Sequence, residues 1–258
     1  MALLFLLPND NDMKSTLLFL YFLVNIISLN GQIKTYPNSV FAGNSFDAFA
    51  IKIDSAMVNE FKVNKNGKQL KNDEYVHKEL AIDSLCFFIN ASITDSLCNP
   101  IGLFIDNYIE KRPINLKTDS GNFYLKPNGA ILFTETDVII CESSKISNYQ
   151  KVRLGLQSGP MLVENRVINQ QFNKKSSNKN VRCGVGIYID ESNDRWLLFC
   201  ISNEPVTFYE MALVFDKKYK CSDALCLESL GCMMYFPERS ILSDLYQGVI
   251  CNYLYYKL

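Results

Sequence analysis

The chain contains a single histidine, His77, and that scarcity removes much familiar hydrolytic machinery. A serine hydrolase needs a base beside its nucleophile, yet His77 sits in the charged run KNDEYVHKEL, which reads as solvated surface. A transition-metal site is equally poorly supplied. The nine cysteines include no C-x-x-C pair, and the Asp and Glu residues are scattered. No metal and no cofactor is expected. Charge of one sign is not in excess either, with 26 basic against 27 acidic residues and no long basic run. The sequence therefore gives no reason to expect a nucleic-acid partner or an anionic membrane surface. No repeat of fixed period is visible.

A bilayer-spanning run is also lacking. The apolar segment LLFLYFLVNIISL at 17–29 falls short of the ~20 residues a spanning helix needs. It follows Met13 and Lys14 and precedes the small and polar residues Asn30-Gly31-Gln32, the layout of a signal peptide. Residues 1–31 are thus expected to be an upstream extension and signal peptide, with either Met1 or Met13 as the start. Residues 32–258 are expected to form one exported domain, periplasmic or extracellular, with no lasting membrane span.

What the sequence does have is apolar content, 48% of residues, ample for a full core. Short apolar runs bounded by turn signals read as strands at 46–54, 85–91, 101–106, 121–126, 130–134, 137–141, 154–157, 183–189, 195–201 and 248–256. Pro127-Asn128-Gly129 between GNFYLK and AILFT predicts a tight hairpin, since Asn-Gly supplies positive-φ residues. The polar stretch NKKSSNKN at 173–180 reads as an exposed loop.

One helix is well marked. Thr207 and Glu210 form a capping box, and Phe208, Met211, Ala212, Phe215 and Tyr219 follow at helical spacing. With strands at 195–201 and 224–228 on either side, this is a βαβ crossover that sets two parallel strands in one sheet. Glu228 then falls at the carboxyl end of the second strand, where open α/β sheets bind ligands. The expected fold class is α+β, a single domain with a large mixed β-sheet core, hairpins and this crossover.

Cys86, Cys200 and Cys251 lie inside apolar runs and read as small buried hydrophobes. Cys221 and Cys226 are close enough in sequence to pair, but connectivity stays open. Ser158, in LGLQSGPMLVENRVINQQF, lacks the G-x-S-x-G setting of a nucleophile. Its Ser-Gly-Pro corner reads either as a turn joining two strands or as a wall where the Ser158 hydroxyl and Gly159 N–H meet a ligand. Asn90-Ala91-Ser92 matches a glycosylation sequon but ends an apolar run, so it is read as a chance match.

The segments GLQSGPMLVENRVIN, NVRCGVGIYID, LLFCISNEPVTFYEMALVF and DALCLESLGCMMYFPE, in that order, resemble the phosphodiester glycosidase family. INASITDSLCNPIGLFIDN and GNFYLKPNGAILF upstream are similar too, and the resemblance covers about residues 46–256. It implies hydrolysis of the bond between a sugar's anomeric carbon and a phosphodiester, with a sugar phosphodiester or glycan as ligand. It also implies that Arg182 holds the phosphate and Glu228 is the catalytic carboxylate. Asn90, Gln157, Ser158, Gly159 and Cys232 would line the substrate.

A phosphomonoester leaves as a stable anion with a second pKa of about 6, so one carboxylate suffices where ordinary glycoside hydrolysis uses two. The chain departs from the family at this motif. LESLGC places Glu228 where the family has Asp, Ser229 in place of a glycine and Cys232 in place of a common serine, while Ser92 replaces a glycine upstream. The alternative implied by these departures is a family member that binds a glycan or glycolipid phosphate without turning it over.

Overall fold

A computed structural model describes residues 31–70, 85–228, 231–239 and 250–257. The segment 17–29 and His77 lie outside the described residues. In chain order the strands are β1 (Ile33–Phe41), β2 (Asn44–Lys52), β3 (Phe61–Leu70), β4 (Leu85–Asn90), β5 (Phe104–Asp106), β6 (Ile109–Arg112), β7 (Gly129–Phe133), β8 (Val138–Glu142), β9 (Leu154–Ser158), β10 (Met161–Glu164), β11 (Val167–Ile168), β12 (Cys183–Ile189), β13 (Arg195–Ser202), β14 (Asp223–Glu228), β15 (Met234–Tyr235) and β16 (Ile250–Lys257). The helices are α1 (Ser55–Glu60) and α2 (Phe208–Leu213). The fold class is α+β, as expected.

The strands form three sheets, with orders β1-β2-β13-β12-β14-β10-β11, β15-β4-β16-β3 and β6-β5-β9-β7-β8. Aromatic side chains join them. Phe49 of β2 stacks on Phe87 of β4 at 4.5 Å between ring centroids, and Phe87 meets Phe199 of β13 at 4.6 Å. Phe61 of β3 touches Phe199 and Phe133 of β7. These five rings are essentially inaccessible to water, so one aromatic core carries all three sheets.

The opposite face of the large sheet is covered by α2 and the π-helical turn Val214–Lys218 that continues it. The capping box forms as expected: Thr207 Oγ1 accepts from the Glu210 N–H at 3.1 Å, and the Thr207 N–H donates to Glu210 at 2.7 Å. Phe215 drops onto β12 at Gly184 and Gly186. A Cβ on Gly186 would lie 2.7 Å from the Phe215 ring and 2.8 Å from Cys221 Sγ, so the alternate glycines make room for the helix. Gly186→Ala is expected to cost about 1–3 kcal/mol through overpacking; an unchanged urea midpoint would show that the helix retreats freely.

The crossover stands with one addition. Both β13 and β14 run antiparallel to β12, which lies between them, so they are parallel to each other but not adjacent. The 173–180 loop is largely exposed, as its composition implied.

The hairpin at Pro127-Asn128-Gly129 does not form. Asn122–Tyr124 is a 3₁₀ turn, and β7 pairs instead with β8 and β9. Asn128 is buried and donates through Nδ2 to the Phe123 carbonyl at 3.0 Å. Gly129 is small because a Cβ there would come within 2.6 Å of the Cys141 carbonyl. Burial, rather than turn chemistry, selects both residues. The expectation for Cys251 is also corrected: it forms a disulfide with Cys98 across 153 residues, whereas Cys221 and Cys226 are both free and buried. Among the described residues no helix is long and apolar enough to cross a membrane.

Candidate functional site

Glu228 ends β14, where strand pairing stops and the backbone carbonyl needs other donors. Three thiols surround that carbonyl, Cys232 at 3.1 Å, Cys226 at 3.3 Å and Cys183 at 3.9 Å. Thiols are weak donors, but three from different positions fix where the strand ends. Ser158 secures the preceding residue, donating its hydroxyl to the Leu227 carbonyl at 2.8 Å. The Glu228 side chain is half-buried, while Ser158, Cys183, Cys226 and Cys232 are buried.

Further along, β15 pairs with β4. Asn90 accepts from the Met233 N–H through Oδ1 at 2.5 Å and gives its own N–H to the Met233 carbonyl. Its side chain is buried, which removes it as an accessible glycosylation acceptor. Asn252 on β16 holds the next turn, accepting from the Ser92 N–H at 3.1 Å and donating to the Ser92 hydroxyl at 3.0 Å. Arg239 pairs with buried Asp47 at 2.6 Å and also donates to the Met234 carbonyl. The sequence reading missed Asn252 and Arg239. For Asn252 the available signal was a lone amide in the apolar run VICNYLYY; for Arg239 there was none.

Arg182 precedes β12, whose first residue Cys183 pairs with Glu228, so it lies at the same end of the sheet. Its guanidinium is fully enclosed. Nε donates to the Val206 carbonyl at 2.9 Å, Nη2 donates to the Asn178 carbonyl at 3.1 Å, and the plane lies 3.6 Å over the Phe208 ring. A direct grip on a phosphate would require that enclosure to open.

Gln157 is similarly committed. It accepts from the N–H groups of Leu103 and Asn115 and donates to the Asn115 carbonyl and the Ser143 hydroxyl. Adjacent strand residues face opposite ways, so Gln157 ties down the 101–115 loop while Ser158 serves β14. Gly159 is packed against Asn128, where a Cβ would come within 2.6 Å. The structure thus brings Ser158 to Leu227, Cys232 to Glu228 and Asn90 to Met233, with Arg182 next to the Cys183 that pairs with Glu228. Gln157 points elsewhere.

Burial pushes the Cys226 and Cys232 thiols well above their ordinary value of 9.0, and for Cys232 the neighbouring Cys183 adds to the effect. Folding therefore favours the protonated thiols. Their contribution is complete below the unfolded thiol value and is lost as pH rises beyond it. The melting temperature is expected to fall above about pH 9, less steeply in Cys226→Ala. Equal alkaline slopes in both proteins would show that this thiol does not titrate on unfolding.

Glu228 is thus a half-buried residue on a hydrogen-bonded floor, at the strand ends of an α+β fold. Residues 83–228, more than half of the chain, match the phosphodiester glycosidase family, and the chain belongs to that family. It is 30% identical over 153 residues to the uncharacterized protein YigE of Escherichia coli, a match spanning 59% of each chain. The catalytic domain of zebrafish N-acetylglucosamine-1-phosphodiester alpha-N-acetylglucosaminidase, auto-inhibited by its pro-peptide, shares the fold. Its TM-score is 0.53 at 11% identity, over 88% of this chain and 82% of that one. A hypothetical protein from Synechocystis aligns at TM-score 0.54 and 10% identity, over 88% and 62% of the two chains.

Proposed function

We propose that this chain is an exported hydrolase that cleaves the bond between a sugar's anomeric carbon and a phosphodiester. The observation that carries the reading is the convergence of Ser158, Asn90, Cys183, Cys226 and Cys232 on the backbone flanking Glu228. That convergence fixes one half-buried carboxylate at the strand ends. Glu228 stabilises an oxocarbenium-like state or activates water at the anomeric carbon. The leaving phosphomonoester carries its own negative charge, which makes a separate strong acid dispensable.

Arg182 acts from inside the floor. Its charge reaches the Cys226 thiol and lowers that group's pKa against the larger effect of burial, and it adds positive potential beneath an anionic substrate. Asn90, Ser158 and Cys232 act as positioning residues, holding the backbone at Met233, Leu227 and Glu228. Gly159 leaves room at the Ser-Gly-Pro corner, and Gln157 holds the neighbouring loop. Export is supported by the signal-peptide pattern at 17–29 and by the Cys98–Cys251 disulfide, a bond favoured in oxidising compartments.

The second reading, binding without turnover, is favoured by one observation. Ser92, standing where the family has glycine, has both its N–H and its hydroxyl engaged by Asn252. Incubation with a panel of sugar-1-phosphodiesters, followed for free sugar and phosphomonoester, separates the two. Product formation supports hydrolysis. Calorimetric binding without product supports the second reading, and neither product nor binding overturns both.

A further inference from the structure

The sequence has no long basic run, yet the fold assembles a basic face from two short ones. The loop 173–180 supplies Lys174, Lys175 and Lys179, and the π-helical turn that continues α2 supplies Lys217 and Lys218, with Lys220 just beyond it. The loop is tied to the start of α2 at both ends. Phe172 stacks on Phe208 at 5.5 Å between ring centroids, Arg182 lies over the same ring, and Asn180 bridges to Val206. Between these ties Lys174 Nζ lies 5.4 Å from the centre of the Tyr209 ring, and Lys179 pairs with Glu210 at 2.9 Å. Lys217 is on the same side of the helix, since Tyr209 adds to the rise in its pKa that Asp216 mainly causes. Lys218 donates to the Val40 carbonyl at 2.9 Å, which brings the end of β1 into this face.

The charges do not cancel. Glu210 and Asp216 are each paired with one lysine, and Glu204, in the loop before α2, accepts from the Ser45 N–H. Six lysines against three carboxylates leave a positive surplus, although the chain as a whole carries a formal charge of -1. Lys174, Lys175 and Lys220 have no carboxylate partner among the described residues, and all six lysines except Lys218 are exposed. No pocket encloses them, so their complement is a surface bearing many negative charges rather than one small anion.

Two features single out a lipid bilayer as that surface. Apolar and aromatic groups sit among the ammoniums: Val40 is 67% exposed beside Lys218, and the Tyr209 ring lies against Lys174. Cationic side chains with apolar stems and neighbours suit the headgroup boundary. In sequence, β1 opens at Ile33, four residues after the apolar segment 17–29 ends. On the export reading, the chain leading into β1 is therefore held at a membrane before processing.

We propose that the face built from Lys174, Lys175, Tyr209, Lys217, Lys218 and Val40 docks on a bilayer containing anionic phospholipid, holding the domain at the membrane surface without spanning it. The docking is independent of the hydrolytic reading, because none of these residues belongs to the Glu228 site.

The test is flotation of the full chain with vesicles of phosphatidylcholine alone and of phosphatidylcholine with about 30% phosphatidylglycerol. The segment 17–29 meets both bilayers alike, so the ratio of the two affinities reads the basic face. At about 0.1 M salt the anionic vesicles are expected to bind about 10²-fold more tightly, about fivefold for each surplus charge. The ratio is expected to approach one at about 1 M salt, where the Debye length is about 3 Å. Lys174→Gln, Lys175→Gln and Lys217→Gln together are expected to abolish the preference. Lys111→Gln, Lys117→Gln and Lys151→Gln together, at exposed positions elsewhere, are expected to change it by less than about threefold. Both triple variants are checked for an unaltered melting temperature, and Lys175→Gln alone, which breaks no ion pair, is expected to lower the ratio about fivefold. Equal affinity for the two bilayers overturns the proposal, as does a ratio that survives the first triple variant or falls as far in the second. Retention on polyglutamate or dextran sulfate with no preference for the anionic bilayer overturns it too, and assigns the face to an acidic protein or a polyanionic glycan.

Discussion

Replacing Arg182 with methionine is expected to lower the unfolding free energy by about 3 kcal/mol or more. Methionine fills much of the volume but removes the side-chain donors to the Val206 and Asn178 carbonyls, the first of which keeps the Asn180 N–H at 3.1 Å. It also removes the cation lying 3.6 Å over Phe208. Lost hydrogen bonds from a charged group and the lost ring contact both weaken the folded state. Arg182→Lys restores a charge without the planar fork, so it recovers only part of the loss. Urea unfolding decides the matter. If Arg182→Met unfolds like the wild type and instead raises KM for a phosphodiester, the guanidinium is a ligand-binding group, as the family resemblance by itself implies.

Glu228→Gln is expected to reduce turnover of a sugar-1-phosphodiester by about 10³-fold with little change in stability. The amide preserves side-chain shape, and the backbone carbonyl accepts from the thiols of Cys183, Cys226 and Cys232 whatever the side chain is. Glu228→Asp follows from the same geometry. A misplacement of about 1 Å can change a rate about 10²-fold, so shortening the side chain toward the family's residue is expected to raise kcat, provided the floor was shaped for Asp. A folded Glu228→Gln protein with wild-type kcat would remove this carboxylate from the chemistry.

Much of the architecture was legible because it follows from local rules. The capping box at Thr207 and Glu210 set the start of α2, and alternating or continuous apolar runs located β2, β4, β12, β13 and β14. The misread hairpin shows where such rules stop. Asn128 and Gly129 have turn chemistry, yet their environment is interior, and tertiary burial outweighed the local signal. Strands β1 and β3 carry many polar residues, so their apolar periodicity is weak. The Cys98–Cys251 bond joins residues 153 apart, for which no spacing rule exists.

At the site, the family resemblance placed Glu228, Ser158, Asn90 and Arg182 at strand ends or adjoining turns, and the strands concerned, β14, β9, β4 and β12, come from three sheets. It did not reveal which way side chains face. Gln157 and Ser158 are neighbours, so strand alternation sends them to opposite sides. Arg182 is enclosed by Asn178 of the loop just before it and by Val206 and Phe208, which arrive from the more distant start of α2. Asn252 and Arg239 act on backbone groups, and backbone hydrogen bonding leaves little mark on residue type.

The central claim is that the bond broken is the one at the anomeric carbon. Hydrolysis of a sugar-1-phosphodiester by the full chain in ¹⁸O-enriched water tests it most directly, because the labelled oxygen marks the atom that water attacked. The account predicts ¹⁸O in the anomeric hydroxyl of the released sugar and none in the phosphomonoester. Label in the phosphate instead would mean attack at phosphorus and contradict the assignment of Glu228 to a glycosidic reaction.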